Sequence, residues 1–147
     1  MEPNVTVADI ERFAATDLPF CATFGISCEA VGDGEATARF RYDPKFIRPP
    51  DFVCGPVMMA LADAALYFAI FTRLGIVPLA LTNELTTSFL RPARDTDLLG
   101  RARLLKLGRR VAVGTVDITA DGDPTRPIAH SLGSYVLPDE HTTRPPT

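Results

Sequence analysis

From Val57 to Phe71 the chain carries a single charge, Asp63, among apolar residues and one tyrosine. Ala, Leu and Met favour helix, and Pro56 suits a first helical position because the N–H it lacks would find no intrahelical acceptor there. Arg73, Leu74 and Gly75 mark the far end, with a cation in the last turn and a glycine placed for a left-handed cap. The run predicts a helix from Pro56 to Leu74, about 28 Å long at 1.5 Å per residue. Its apolar residues fall on every side, so the helix is expected to be surrounded by protein. A bilayer could also surround it, but Asp63 at the centre would then cost about 2.5–3.5 kcal/mol. No membrane span is expected, and Met1–Thr16, with Glu2, Asp9, Glu11 and Arg12, lacks the apolar core of a secretory leader.

The rest of the chain must supply the surroundings. Val7 to Thr16 reads as a short helix, with Thr6 as N-cap and Asp9 placing negative charge in the first turn. Phe20 to Phe24 reads as an apolar turn. Ile26 to Val31 and the run from Glu35 to Tyr42 read as strands of a hairpin joined at Gly32-Asp33-Gly34; in the second, Ala36, Ala38, Phe40 and Tyr42 alternate with polar residues. Asp43 to Val53 holds Pro44, Pro49 and Pro50 and is expected to be an irregular loop. Beyond the helix, four strands are expected at Leu79–Leu90, Leu98–Leu107, Val111–Ala120 and Ile128–Leu137. The polar, proline-rich 138–147 segment is expected to be a disordered tail.

This order predicts an α+β fold in which a curved antiparallel sheet of about six strands wraps one long central helix, as a single domain over residues 1–137 with 1–24 as an N-terminal helical segment. Such a sheet leaves one face and its edges open, so a second copy is the expected partner. The net charge of −3 argues against a broad nucleic-acid surface. Cys21, Cys28 and Cys54 are odd in number and form no C-x-x-C, so a reducing, cytoplasmic setting is expected. With only His130 and His141 available, neither a metal centre nor a histidine-dependent triad is expected.

Three motifs carry a family resemblance: Cys54-Gly55-Pro56-Val57 followed by Leu61-Ala62-Asp63; Ser88-Phe89-Leu90-Arg91-Pro92-Ala93; and Leu107-Gly108-Arg109-Arg110. From about Thr23 to Val136 the chain resembles the hotdog-fold acyl-CoA thioesterases of the phenylacetate-pathway, PaaI-like group. The resemblance implies a homodimer or homotetramer that hydrolyses an acyl-CoA, with no cofactor beyond the CoA of the substrate. It implies that Asp63 is the nucleophile or base and that Gly55 offers its N–H to the thioester oxygen across a dimer interface. Thr82 falls where some relatives place a Ser or Thr early on the strand after the helix; by alternation it would share a face with Glu84, Thr86 and Ser88. Cys54 stands in place of the family histidine, Arg48 in place of an asparagine six residues earlier, and Pro56 in place of a second glycine; all three are carried as candidate substrate contacts.

Simpler readings stand beside these. Asp63 could be a buried structural acid, Gly55 a helix-entry turn, and Cys54 a small packing residue rather than a thiol nucleophile. Arg91, Arg94, Arg109 and Arg110 are solvated turn residues by default and binders of CoA phosphates in the functional reading. A catalytically silent hotdog protein that binds an acyl-CoA or another apolar ligand is the alternative to hydrolysis. A hotdog hydratase is disfavoured, because the region around the helix has no histidine.

Overall fold

The computed structural model describes residues 1–139. The chain runs α1 (Val7–Asp17), α2 (Pro19–Phe24), β1 (Ile26–Gly32), β2 (Glu35–Phe40), a 3-10 turn at Pro44–Phe46, β3 (Ile47–Arg48), β4 (Phe52–Val53), α3 (Gly55–Leu74), β5 (Leu81–Phe89), β6 (Leu98–Leu107), β7 (Val111–Ala120) and β8 (Ala129–Val136). Six strands make one antiparallel sheet in the order β1-β2-β6-β7-β8-β5, while β3 and β4 form a separate ribbon. The long helix α3 packs against β1, β2 and β5–β8, which is the expected hotdog arrangement. Although α3 is long and apolar enough to cross a bilayer, Leu61, Leu66, Phe68, Ile70 and Phe71 are fully buried within the protein's own core.

Two glycines set how closely the helix approaches the sheet. Gly114 and Gly133 face each other across β7 and β8. A Cβ at either would lie 2.5 Å or 2.9 Å from a methyl of Leu66, and the one at Gly114 also 2.8 Å from the Arg103 carbonyl oxygen. Any larger residue at these positions would push α3 away from the sheet and disturb its packing.

Several local expectations are corrected. Residues 20–24 are helical, because Pro19 sits in the first turn of α2 and Gly25 closes it in a left-handed cap (φ 67°, ψ 37°). The proline-rich loop contains the 3-10 turn and the β3–β4 ribbon, since Asp43 accepts from the Lys45 N–H and Phe52-Val53 pairs with Ile47-Arg48. Pro56 is the second residue of α3, and Gly75 has a positive φ of 81° but an extended ψ of −173°, so it ends the helix without a left-handed cap. At α1 the expected N-cap forms a full capping box between Thr6 and Asp9. Of the expected tail, residues 140–147 lie outside the described residues.

Candidate active site

The helix is not covered all round. Met59, Asp63 and Tyr67 recur every fourth residue and are only half-buried, so one line along α3 stays open. The sheet ends at β5, whose Leu81 and Phe89 are 60% and 50% exposed. Asp63 therefore avoids full burial by facing this open line, which removes most of the cost that a carboxylate inside an oily helix would otherwise carry.

Two hydroxyls hold the carboxylate. Thr82 Oγ1 donates to Asp63 Oδ1 at 2.8 Å, and the Tyr135 O–H donates to the same oxygen at 2.5 Å, while also lying 2.9 Å from the Asp63 carbonyl oxygen. Among the described residues no donor engages Oδ2, and Oδ2 is not one of the buried polar atoms lacking a partner. One oxygen is thus fixed and the other left available, an arrangement that orients the group without neutralising it.

Thr82 reaches Asp63 only because β5 is irregular. Thr82 pairs with Tyr135, but Glu84 pairs with Ser134, so Asn83 is an extra residue that shifts the register. Tyr135 and Ser134 point to opposite sides of β8, which places Thr82 on the helix side and Glu84 on the outer side. The simple alternation that grouped Thr82 with Glu84, Thr86 and Ser88 is corrected accordingly.

Tyr135 is 3% exposed, and burial first, then the charge of Asp63, push its hydroxyl well above the usual phenol range. It stays a donor near neutral pH. Tyr67, one turn along the helix from Asp63, stacks on Tyr135 with ring centroids 5.7 Å apart and donates to the Pro78 carbonyl at 2.9 Å. Burial and then Asp63 push its hydroxyl up to about 12. Neither tyrosine is suited to relay a proton; both serve to hold the acid in place.

Gly55 lies at the other end of the open line. It is the first residue of α3, and among the described residues no main-chain carbonyl takes its N–H. That N–H sits at the positive end of a long helix. A Cβ at Gly55 would be 3.3 Å from the Phe89 ring, so the glycine keeps the last residue of β5 close to the helix entry. Eight residues separate Gly55 from Asp63, about 12 Å along the axis, too far for both to touch one carbonyl group.

The Thioesterase superfamily model matches residues 51–126, just over half of the chain. This chain belongs to the thioesterase superfamily. A candidate thioesterase from Silicibacter sp. TM1040 has a solved structure that is 34% identical, covers 94% of this chain and 95% of that one, and superposes with a TM-score of 0.83. A candidate esterase of Saccharolobus solfataricus is 29% identical over 92% of this chain and 87% of its own length. The N33D variant of the phenylacetic acid degradation protein PaaI from Thermus thermophilus shares the fold, with a TM-score of 0.72 at 23% identity, over 82% of this chain and 99% of that one.

For a chain of the thioesterase superfamily, thioester hydrolysis is the general chemistry. The structure brings Asp63 and Thr82 together, keeps Cys54, Gly55 and Pro56 as a separate group at the start of α3, and leaves the candidate arginines apart from Asp63. Cys54 is the half-buried N-cap of α3, makes no side-chain cap, and donates its main-chain N–H to the Phe46 carbonyl at 2.9 Å. Pro56 is exposed beside Gly55. Arg48 is turned onto its own loop, donating to the Pro49 carbonyl at 2.8 Å. Arg91 follows the Phe89 end of β5, whereas Arg109 and Arg110 occupy the β6–β7 turn at the opposite end of the sheet, where Arg110 pairs with Asp139 at 2.9 Å. His130 is bound to Asp117 at 2.7 Å, on the side of the sheet away from α3. Tyr135 was not among the residues singled out from sequence. Its signal was a large polar ring alternating with Ser131 and Gly133 on a helix-facing strand, where a buried hydroxyl requires a partner.

Proposed function

We propose that the protein hydrolyses an acyl-CoA thioester, with Asp63 Oδ2 as the reacting atom and Gly55 of the partner subunit as the oxyanion donor. One observation carries the reading: a carboxylate fixed through one oxygen by two neutral hydroxyls, with the other oxygen free on an open helix face. The 12 Å gap between Gly55 and Asp63 supports a site shared by two copies. If two β5 edges pair antiparallel about an axis near Leu85, Leu81 lies opposite Phe89 of the partner subunit, and the Asp63 end of one helix meets the Gly55 end of the other. That pairing also covers the exposed edge.

Oδ2 takes a proton from water as the water oxygen attacks the thioester carbon, so the proton is held at Asp63 while the tetrahedral adduct forms. Negative charge moves to the carbonyl oxygen, where the Gly55 N–H and the helix dipole of the partner subunit stabilise it. Collapse breaks the carbon–sulfur bond, and the thiolate takes up the proton held at Asp63. The acid and CoA leave with all atoms accounted for.

The test is turnover of a short panel of aliphatic and aromatic acyl-CoAs by wild type and Asp63→Asn. Wild-type hydrolysis lost in the variant supports the reading. Retention of CoA-ester binding with no turnover by wild type on any ester would favour the silent binding protein instead.

A further inference from the structure

The tyrosine that fixes Asp63 is itself backed by a run of rings that begins outside the helix and the sheet. Tyr135, whose hydroxyl holds Oδ1, is stacked on Tyr67 at 18° with centroids 5.7 Å apart. Tyr67 in turn meets Phe71 at 4.4 Å and the ring of Phe13, on α1, edge-on at 6.1 Å and 78°. Phe13 also meets Phe71 edge-on at 5.3 Å. An unbroken series of aromatic contacts therefore leads from α1 to the carboxylate.

The first link of that series stands on a fixed base. Ile10, Phe13 and Ala14 form the buried face of α1, and the Thr6–Asp9 capping box sets where the helix begins. Just before it, the Asn4 N–H donates to the Thr72 carbonyl at 2.7 Å and the Asn4 side-chain amide to the Arg73 carbonyl at 2.5 Å, which ties α1 to the last turn of α3. The Glu11 carboxylate takes the Cys28 N–H and so ties α1 to β1 as well. Tyr67 is less constrained, since it lies on the open line of α3 and, among the described residues, its hydroxyl has one partner, the Pro78 carbonyl. Phe13 also lines a hollow of about 460 Å³ with Val5, Thr16 and Ile76. Without the Phe13 ring that hollow would extend to Tyr67, and any tilt of Tyr67 would be passed to the ring stacked on it.

We propose that Phe13 is a positioning residue of the active site: through Tyr67 it holds the Tyr135 ring, and so the hydroxyl that orients Asp63. This rests on the proposed hydrolysis, in which Asp63 is the base. Phe13 lies outside residues 51–126, the part of the chain that the superfamily model matches, so α1 adds to the site a support that the matched segment does not contain.

The experiment measures kcat, KM and melting temperature for wild type, Phe13→Leu, Phe13→Met, Tyr135→Phe and Phe13→Leu/Tyr135→Phe, with Ile10→Val as a core substitution on the same helix outside the run of rings. Phe13→Leu should lower kcat about fivefold with KM within about twofold, and Phe13→Met, which keeps the volume without a ring, should do the same if Phe13→Leu does not fold. Ile10→Val should keep the wild-type kcat while its melting temperature falls. In the double variant kcat should stay within about twofold of Tyr135→Phe alone, because the hydroxyl that Phe13 places is already gone. A ring-deleted Phe13 variant with the wild-type kcat, or a fall that multiplies in full with that of Tyr135→Phe, overturns the role and leaves the thioesterase reading standing. If wild type hydrolyses no ester, the thioesterase reading fails, and the ring-carbon NMR signal of Tyr135 in isotope-labelled protein, assigned by its absence from Tyr135→Phe, decides the positioning by itself. A change of that signal in the Phe13 variants that Ile10→Val does not share supports it; a wild-type signal overturns it.

Discussion

Two sets of carboxylates in this molecule are held in opposite ways. Glu29, Asp97 and Asp121 surround one guanidinium, with contacts from Arg39 of 2.8, 3.0 and 3.0 Å. Hydrogen bonds from Arg39 hold the Asp121 carboxyl below the usual carboxylate range. These acids tie β1, β2 and the turns flanking β6 and β7 together, and their charge is answered by a cation. Among the described residues Asp63 is held by neutral hydroxyls alone. The first arrangement answers carboxylates with a cation and uses them as fasteners; the second fixes one oxygen of a carboxylate with neutral donors and leaves the other unengaged among the described residues.

Asp63→Asn should have the largest effect. The amide oxygen can still accept from Thr82 and Tyr135, so melting temperature and circular dichroism should stay near wild type while kcat falls about a thousandfold. Tyr135→Phe should lower kcat about tenfold with KM within twofold, because the acid loses one of its two anchors. A variant that melted earlier but kept kcat would make Tyr135 a packing residue only. Arg39→Met should reverse the pattern, costing about 1–2 kcal/mol in urea unfolding and leaving kcat/KM within about twofold.

Alkaline stability supplies a separate test. Burial raises Cys21 and Cys28 to about 12, Tyr67 to about 12, and Tyr135 beyond that. Each group binds its proton more tightly folded than unfolded, so its contribution is complete below its unfolded value and is lost as pH climbs toward the folded one. Stability should hold up to about pH 9 and then fall by at most about 1.4 kcal/mol per pH unit for each group titrating in the unfolded chain. Tyr67→Phe should make that decline shallower. An unchanged slope in urea titrations from pH 9 to 12 would show that Tyr67 takes no part.

The sequence made the scaffold legible because its signals are local. Leu98–Leu107 and Val111–Ala120 match β6 and β7 residue for residue, since each run ends at a turn residue and the strands pair from Leu98↔Ala120 to Leu107↔Ala112 with a single shift at Leu105. The long helix was equally visible, and so was the isolation of Asp63 within it. What was hidden depends on pairing. The face of Thr82 is set by a one-residue shift against β8, which alternation along one strand cannot reveal. Tyr135 lies 72 positions from the acid it holds. The open line of Met59, Asp63 and Tyr67 exists because the sheet stops at β5, a limit set by topology rather than by the composition of the helix.

Mixed dimers test the proposed two-chain site most directly. Gly55→Pro removes the N–H from a first helical position that tolerates proline, with only the half-exposed Phe89 ring close by to give way. Alone, it should be nearly as inactive as Asp63→Asn. When the two variants are refolded together, random pairing should make half of the dimers mixed, each with one intact site, and activity should recover to about a quarter of wild type. A mixture that forms dimers yet is no more active than its two parents would contradict a site built from Asp63 of one protomer and Gly55 of the other.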